Sequence, residues 1–141
     1  MCAQAMNAIV NRVEEARRRW NAGDLPGYLK LYDDTVMLHG AAPEPMNKTA
    51  LTRFYDQLWS ALGSPPHLEF HQPMTDGNLY CHRFTLTGTH QGDFMGVPAT
   101  RRSIVIQGIT MMRFSGSGVV ERWTSADMYE VMIQMGAVPQ P

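Results

Sequence analysis

From residue 67 onward the chain reads as strand after strand, and this is the feature that most narrows the fold. The segments HLEFHQP, NLYCHRFTLTGTH, RRSIVIQGITMMRF and VVERWTSA are strand-like runs, separated by TDG, by a loop over 88–100 and by SGSG. Runs joined in this way predict antiparallel neighbours in hairpin order. A sheet built so must cover one face, and the segments available to cover it lie before it in the chain.

Those segments are mostly helical. Ala5, Ile9, Val13, Ala16 and Trp20 recur at helical spacing through 4–21, and NAGD stops the pattern. Asp24 is placed to cap a short second helix in which Leu25, Leu29 and Tyr32 share a face, with Pro26 tolerated in the first turn. TVMLHG at 35–40 is a strand candidate, and Asn47 then caps a helix built on Leu51, Phe54, Tyr55, Leu58, Trp59 and Leu62 that ends at Gly63 and the prolines after it. A last helix starts near Asp127, where Met128, Val131, Met132 and Met135 fall on one face before Gly136. The expectation is a single α+β domain over 1–141: a cone-shaped α+β barrel in which N-terminal helices cap a strongly curved antiparallel sheet, with an interior that side chains fill or leave open.

Composition removes several functional classes. The net charge is −1, and the basic run at 17–19 follows Glu14 and Glu15 at helical spacing, so it reads as a solvated helix face and no nucleic-acid partner is expected. No run approaches the roughly 20 apolar residues that cross a bilayer, and the first residues acquire charge too early for a signal peptide, so a cytoplasmic protein without a membrane partner is expected. Cys2 and Cys81 are too few for a disulfide framework. The five histidines show neither a helical i,i+4 pair nor a short acid-bearing ligand motif, and no metal is expected. There is no glycine-rich phosphate loop and no nucleophile elbow.

The order of elements, together with GTHQGDFMGVPAT, ERWTSAD and the terminal QMGAVP, resembles the SnoaL-like polyketide cyclase family, within the superfamily of nuclear transport factor two-like folds. The likeness spans roughly 5–139. It implies a pocket that uses no cofactor, in which a carboxylate does acid/base work on a polyketide or similar carbonyl compound, and it implies a homodimer formed through the outer face of the sheet. The same cone also hosts isomerases, dehydratases, epoxide hydrolases and binding modules. Asp127 matches the family's catalytic aspartate by its place after ERWTSA, His39 a recurrent histidine ending the first strand, and His90 the loop histidine; Arg83 and Trp123 match further recurrent positions. Where the family often has a histidine directly before the tryptophan, this chain has Arg122, and Gln107 and Thr110 stand in the strand that often carries another.

The residues themselves leave alternatives open. Enolisation needs a base beside a carbonyl and donors for the developing enolate, and a desolvated Asp127 suits the first task. Asp127 also sits where an N-cap belongs, with Glu130 placed for a capping box. Parity along the last strand puts Glu121, Trp123, Ser125 and Asp127 on one face and Val120, Arg122, Thr124 and Ala126 on the other, without saying which face is inside. His39 is a second candidate for proton transfer, since its ordinary pKa is near neutrality. Arg83 and Gln107 are candidate ligand contacts or cross-strand partners. His67, His71 and His82 are read as structural or surface residues. Phe54, Trp59, Phe94 and Trp123, with methionines such as Met112, favour a small apolar or aromatic ligand. The loop at 88–100 is read as both turn and pocket rim, with Phe94 and Met95 closing over the mouth.

Overall fold

A computed structural model describes residues 2–141, with side chains from residue 8 onward. The expectations that fall on Cys2 and Ala5 concern side chains outside the described residues. Helix α1 (Cys2–Asn21) is followed by α2 (Leu25–Leu29), β1 (Tyr32–His39), α3 (Lys48–Leu62), β2 (His67–Asp76), β3 (Leu79–Thr89), β4 (Ser103–Ser115), β5 (Gly118–Ala126) and α4 (Met128–Gln134). The caps fall where the sequence puts them. Asp24 accepts from the Gly27 N–H, Asn47 from that of Ala50 and Asp127 from that of Glu130, each satisfying a donor that the first helical turn leaves open.

The five strands form one curved, unclosed sheet in the order β1-β5-β4-β3-β2. Strands β2 to β5 are an antiparallel meander, as expected, but β1 lies parallel to β5 at the far edge. The exception follows from chain order: a strand that precedes α3 reaches the sheet by a long crossover and not by a hairpin, and a parallel pairing is then open to it. Register shifts between His71 and Met74 and between Arg113 and Phe114 add twist and bend to the meander.

Alternation decides the two faces. Leu68, Tyr80, His82, Leu86, Ile104, Ile106, Thr110, Met112, Phe114 and Arg122 are buried on the concave side, and Arg83, Gln107, Ile109 and Met111 are exposed on the other. Helix α1 packs along β2, α3 on β1 and β3, and α4 on β4. Trp20, 1% exposed, anchors the helical layer: its indole N–H donates to the Pro66 carbonyl at 2.7 Å, and Tyr28, Tyr55 and Trp59 meet its ring edge to face. The basic run pairs along the helix surface, Arg19 on Glu15 at the expected i,i+4 spacing, but Arg18 also turns to Glu15, and Glu14 takes Arg17 in place of Arg18, both at i,i+3.

Candidate functional site

Between the concave face and the helices lies a cavity of about 460 Å³, within the range of roughly 300–1,000 Å³ usual for small-molecule sites. Its wall is mostly apolar: Leu38, Phe54, Leu58, Leu68, Phe70, Phe84, Leu86, Ile106 and Met112, with Phe94 and Met95 from the loop at one end. The polar residues on the wall are Arg122 with its tyrosine and threonine neighbours, His82 and Ser125. No aspartate or glutamate is among the lining residues.

Arg122 extends from β5 into a nest of hydroxyls. Its Nη1 donates to Tyr32 at 2.5 Å, to Tyr28 at 3.4 Å and in a very short contact to Tyr55; Nη2 donates to Thr110 and Thr124, both at 3.2 Å. The tyrosines also bond to one another, Tyr28 to Tyr32 at 2.6 Å and Tyr28 to Tyr55 at 3.1 Å. Nε is buried and has no partner among the described residues. Burial opposes the cation, but the oxygens of Tyr32, Tyr55 and Tyr28 outweigh it and hold the guanidinium pKa above its usual range. Burial pushes the Tyr28 and Tyr32 phenols up, so they stay neutral. The wall therefore carries a positive charge that no carboxylate among the described residues compensates.

His82 is 2% exposed and stands one strand from that charge, directly opposite Thr110 in the β3–β4 pairing. Its Nδ1 is 2.6 Å from the Tyr80 hydroxyl, and its ring packs on Phe70 with centroids 4.0 Å apart. Desolvation, then repulsion from Arg122 and from His71, lowers its pKa to about 3, so the imidazole is neutral.

The residues proposed from sequence divide between the two faces. Phe54, Phe94 and Met112 line the cavity. Trp59 is buried against Trp20, behind the wall. His90, 0% exposed, holds the loop together: Nδ1 meets Thr100 Oγ1 at 2.9 Å and Nε2 meets the Val97 carbonyl at 3.1 Å. Phe94 and Val97 pair across a tight turn in which Met95 and Gly96 have positive φ, and this turn delivers Phe94 and Met95 to the cavity. Gly88 is needed because a Cβ there would lie 2.1 Å from the Leu62 carbonyl at the end of α3.

His39, Trp123, Arg83 and Gln107 belong to the outer face. His39 stacks on Trp123 at 5.6 Å and bonds to Glu121 at 3.0 Å, and Arg83 donates to Gln72 at 2.6 Å. Asp127 is exposed and its carboxylate caps α4, accepting from the Glu130 N–H at 3.0 Å. The reciprocal half of a capping box is absent, because the Asp127 N–H donates to the Gln107 carbonyl. Its chain neighbours Ala126 and Met128 line the cavity, which puts Asp127 at the rim.

The polar centre leaves little local mark in the sequence. Arg122 was visible only as a departure from the family pattern, and His82 as one histidine among five. Parity supplies the missing signal: Arg122 is in phase with Thr124 and Ala126, and His82 with Tyr80, Phe84 and Leu86, and these series face the interior.

The family model for the SnoaL-like polyketide cyclase matches residues 10–135, and the chain belongs to that family. Among solved structures, AclR from Streptomyces galilaeus, described as a candidate hydroxylase, is 25% identical with a TM-score of 0.85, the match covering 95% of this chain and 99% of that one. IdmH from Streptomyces antibioticus, described as a candidate polyketide cyclase, is 23% identical with a TM-score of 0.75, covering 91% and 98%. TsrD from Streptomyces laurentii is 19% identical with a TM-score of 0.81, covering 93% and 97%. The last two likenesses speak for the fold alone. No curated protein matches the chain in sequence.

Proposed function

We propose that this chain is an enzyme of the cyclase or isomerase type that needs no cofactor and acts on a small apolar or aromatic carbonyl compound, whose enol or enolate oxygen lies at Arg122. The observation that carries the reading is the buried guanidinium facing an apolar cavity with no carboxylate partner. A charge held in that state is costly unless its site is meant to receive an anion. In enolisation the C–H bond beside the carbonyl breaks, its electron pair becomes the new C=C bond, and the carbonyl π pair moves onto oxygen. A fixed cation in a mostly apolar cavity favours that charge much more strongly than it favours the neutral ketone, which is the differential binding that lowers a barrier.

The proton needs a destination. With no acid on the wall, Asp127 serves as base only from the rim, and only with its carboxylate turned from the α4 cap toward the cavity. A binding module of the same fold would hold the same ligands without turnover. For assembly, we propose a homodimer through the outer sheet face, where Ile109, Met111 and Met37 are 53%, 38% and 37% exposed.

The test is hydrogen–deuterium exchange at the acidic carbon of an aryl 1,3-diketone, followed by NMR. The protein should exceed the buffer rate. Arg122→Met should lower the excess by roughly 100-fold or more, the usual effect of removing an oxyanion donor, with circular dichroism unchanged. Exchange at the buffer rate would remove the enzyme reading, and an Arg122→Met variant as fast as the parent would remove Arg122 from it.

A further inference from the structure

Hydrogen-bond accounting fixes the tautomer of His82. Tyr80 is 2% exposed, and its hydroxyl has one partner among the described residues, the Nδ1 of His82 at 2.6 Å. If Nδ1 carried the proton, the phenolic hydrogen would be left buried with no acceptor. If the phenol donates to Nδ1, both groups are satisfied. Burial keeps Tyr80 protonated, in agreement with the second arrangement. The ring proton of His82 is then on Nε2, which makes no hydrogen bond within the described residues, on a side chain that lines the cavity.

We propose that the cavity is a cradle of one fixed charge, Arg122, and one free donor, the Nε2–H of His82, that binds a phenol or enol as its oxyanion and so drives the ligand to ionise on binding. This deepens the function proposed above and rests on it for the role of Arg122. The juxtaposition comes from the sheet: His82 faces Thr110, which takes a hydrogen bond from Arg122 Nη2, and Tyr80 faces Met112, whose other neighbour is Arg122 itself. A neutral imidazole beside a guanidinium is suited to donating, since it offers an N–H without adding a second buried charge. His82 is thus a ligand donor and not the base, and Tyr80 is a positioning residue that acts through it. In the step itself the ligand O–H bond breaks heterolytically, the electron pair stays on oxygen and the proton passes to water.

The probe is 4-nitrophenol, whose phenolate absorbs in the visible, with 4-nitroanisole as the neutral control of similar shape. Bound to the parent protein, the phenol should ionise at a pH at least about one unit below that of the free compound, equivalent to tenfold tighter binding of the anion. Arg122→Met should abolish the shift. His82→Leu should reduce it by about half or more, and Tyr80→Phe should reduce it less, because the imidazole remains but is no longer locked. The anisole should bind all four proteins within about threefold, which also reports that the cavity is intact. A shift that vanishes in Arg122→Met but is undiminished in His82→Leu and Tyr80→Phe would overturn the cradle and leave the enolate reading standing. Failure of 4-nitrophenol to bind, or binding without any shift in the parent, would overturn both.

Discussion

Replacing His82 with a residue that does not titrate should make the fold markedly less sensitive to acid. The unfolded chain titrates His82 near 6.5, whereas in the folded protein desolvation, Arg122 and His71 hold it down to about 3. The unfolded state therefore binds more protons between these values. The stabilisation is complete above pH 6.5 and is lost progressively as pH falls toward 3. At pH 4.5 the two units below the unfolded value correspond to about 3 kcal/mol, and for a chain of this size that is roughly 10 °C in Tm. His82→Gln has no titration, and its amide oxygen can still accept from the Tyr80 hydroxyl, so it should show a shallower decline. Thermal melts of both proteins between pH 7.5 and 4.5 make the comparison, because every other histidine and carboxylate contributes equally to each. Asp33, held down to about 2 by Ser117 and Thr35, acts only at lower pH and is common to both. Parallel pH profiles would refute the assignment of a desolvated, neutral His82.

Three further outcomes are expected. Asp127→Asn should keep the α4 cap but lose most of the turnover, because the amide cannot take the proton, and Asp127→Ala should in addition lose about 1 kcal/mol of stability in denaturant titration; a fully active Asn variant would remove the aspartate as the base. His90→Ala should cost about 2 kcal/mol, because it removes two buried hydrogen bonds, to the Thr100 hydroxyl and the Val97 carbonyl, and should weaken binding of 4-nitroanisole by releasing the loop that carries Phe94 and Met95. Sedimentation should show a dimer that Ile109→Glu dissociates, and a parent that stays at 15.9 kDa over all concentrations would refute the outer-face interface.

The fold was largely legible because its signals are local. The three caps, the helical stripe around Trp20 and the turn sequences each depend on a few neighbouring residues, and each appears where expected. The parallel placement of β1 was not legible, since a strand of this length carries no mark of the direction of its partner. The site was legible only in its apolar part. Phe54, Phe94 and Met112 were found because greasy residues near a cone's mouth have few alternatives, whereas Arg122 meets Tyr28, Tyr32 and Tyr55 across 94, 90 and 67 residues of chain. Such a nest exists only once the sheet has curved over the helices. Matching motif positions drew attention to Asp127, His39 and Trp123, but the alternation of β5 and β1 turns their side chains away from the cavity wall.

The choice of hydroxyls around Arg122 bears on how this scaffold changes over time or under engineering. Phenols and threonines satisfy a guanidinium's donors without cancelling its charge, so the group remains a receptor. One acid beside it would convert receptor into core. Thr124→Glu, placed on the same face and already in contact with Nη2, would supply an internal counter-ion that competes with any anionic ligand. The same fold would then be sturdier and blind to that ligand, and a single reversion would restore its sight. The boundary between a stable inert member of this architecture and an active one can therefore lie at a single side chain.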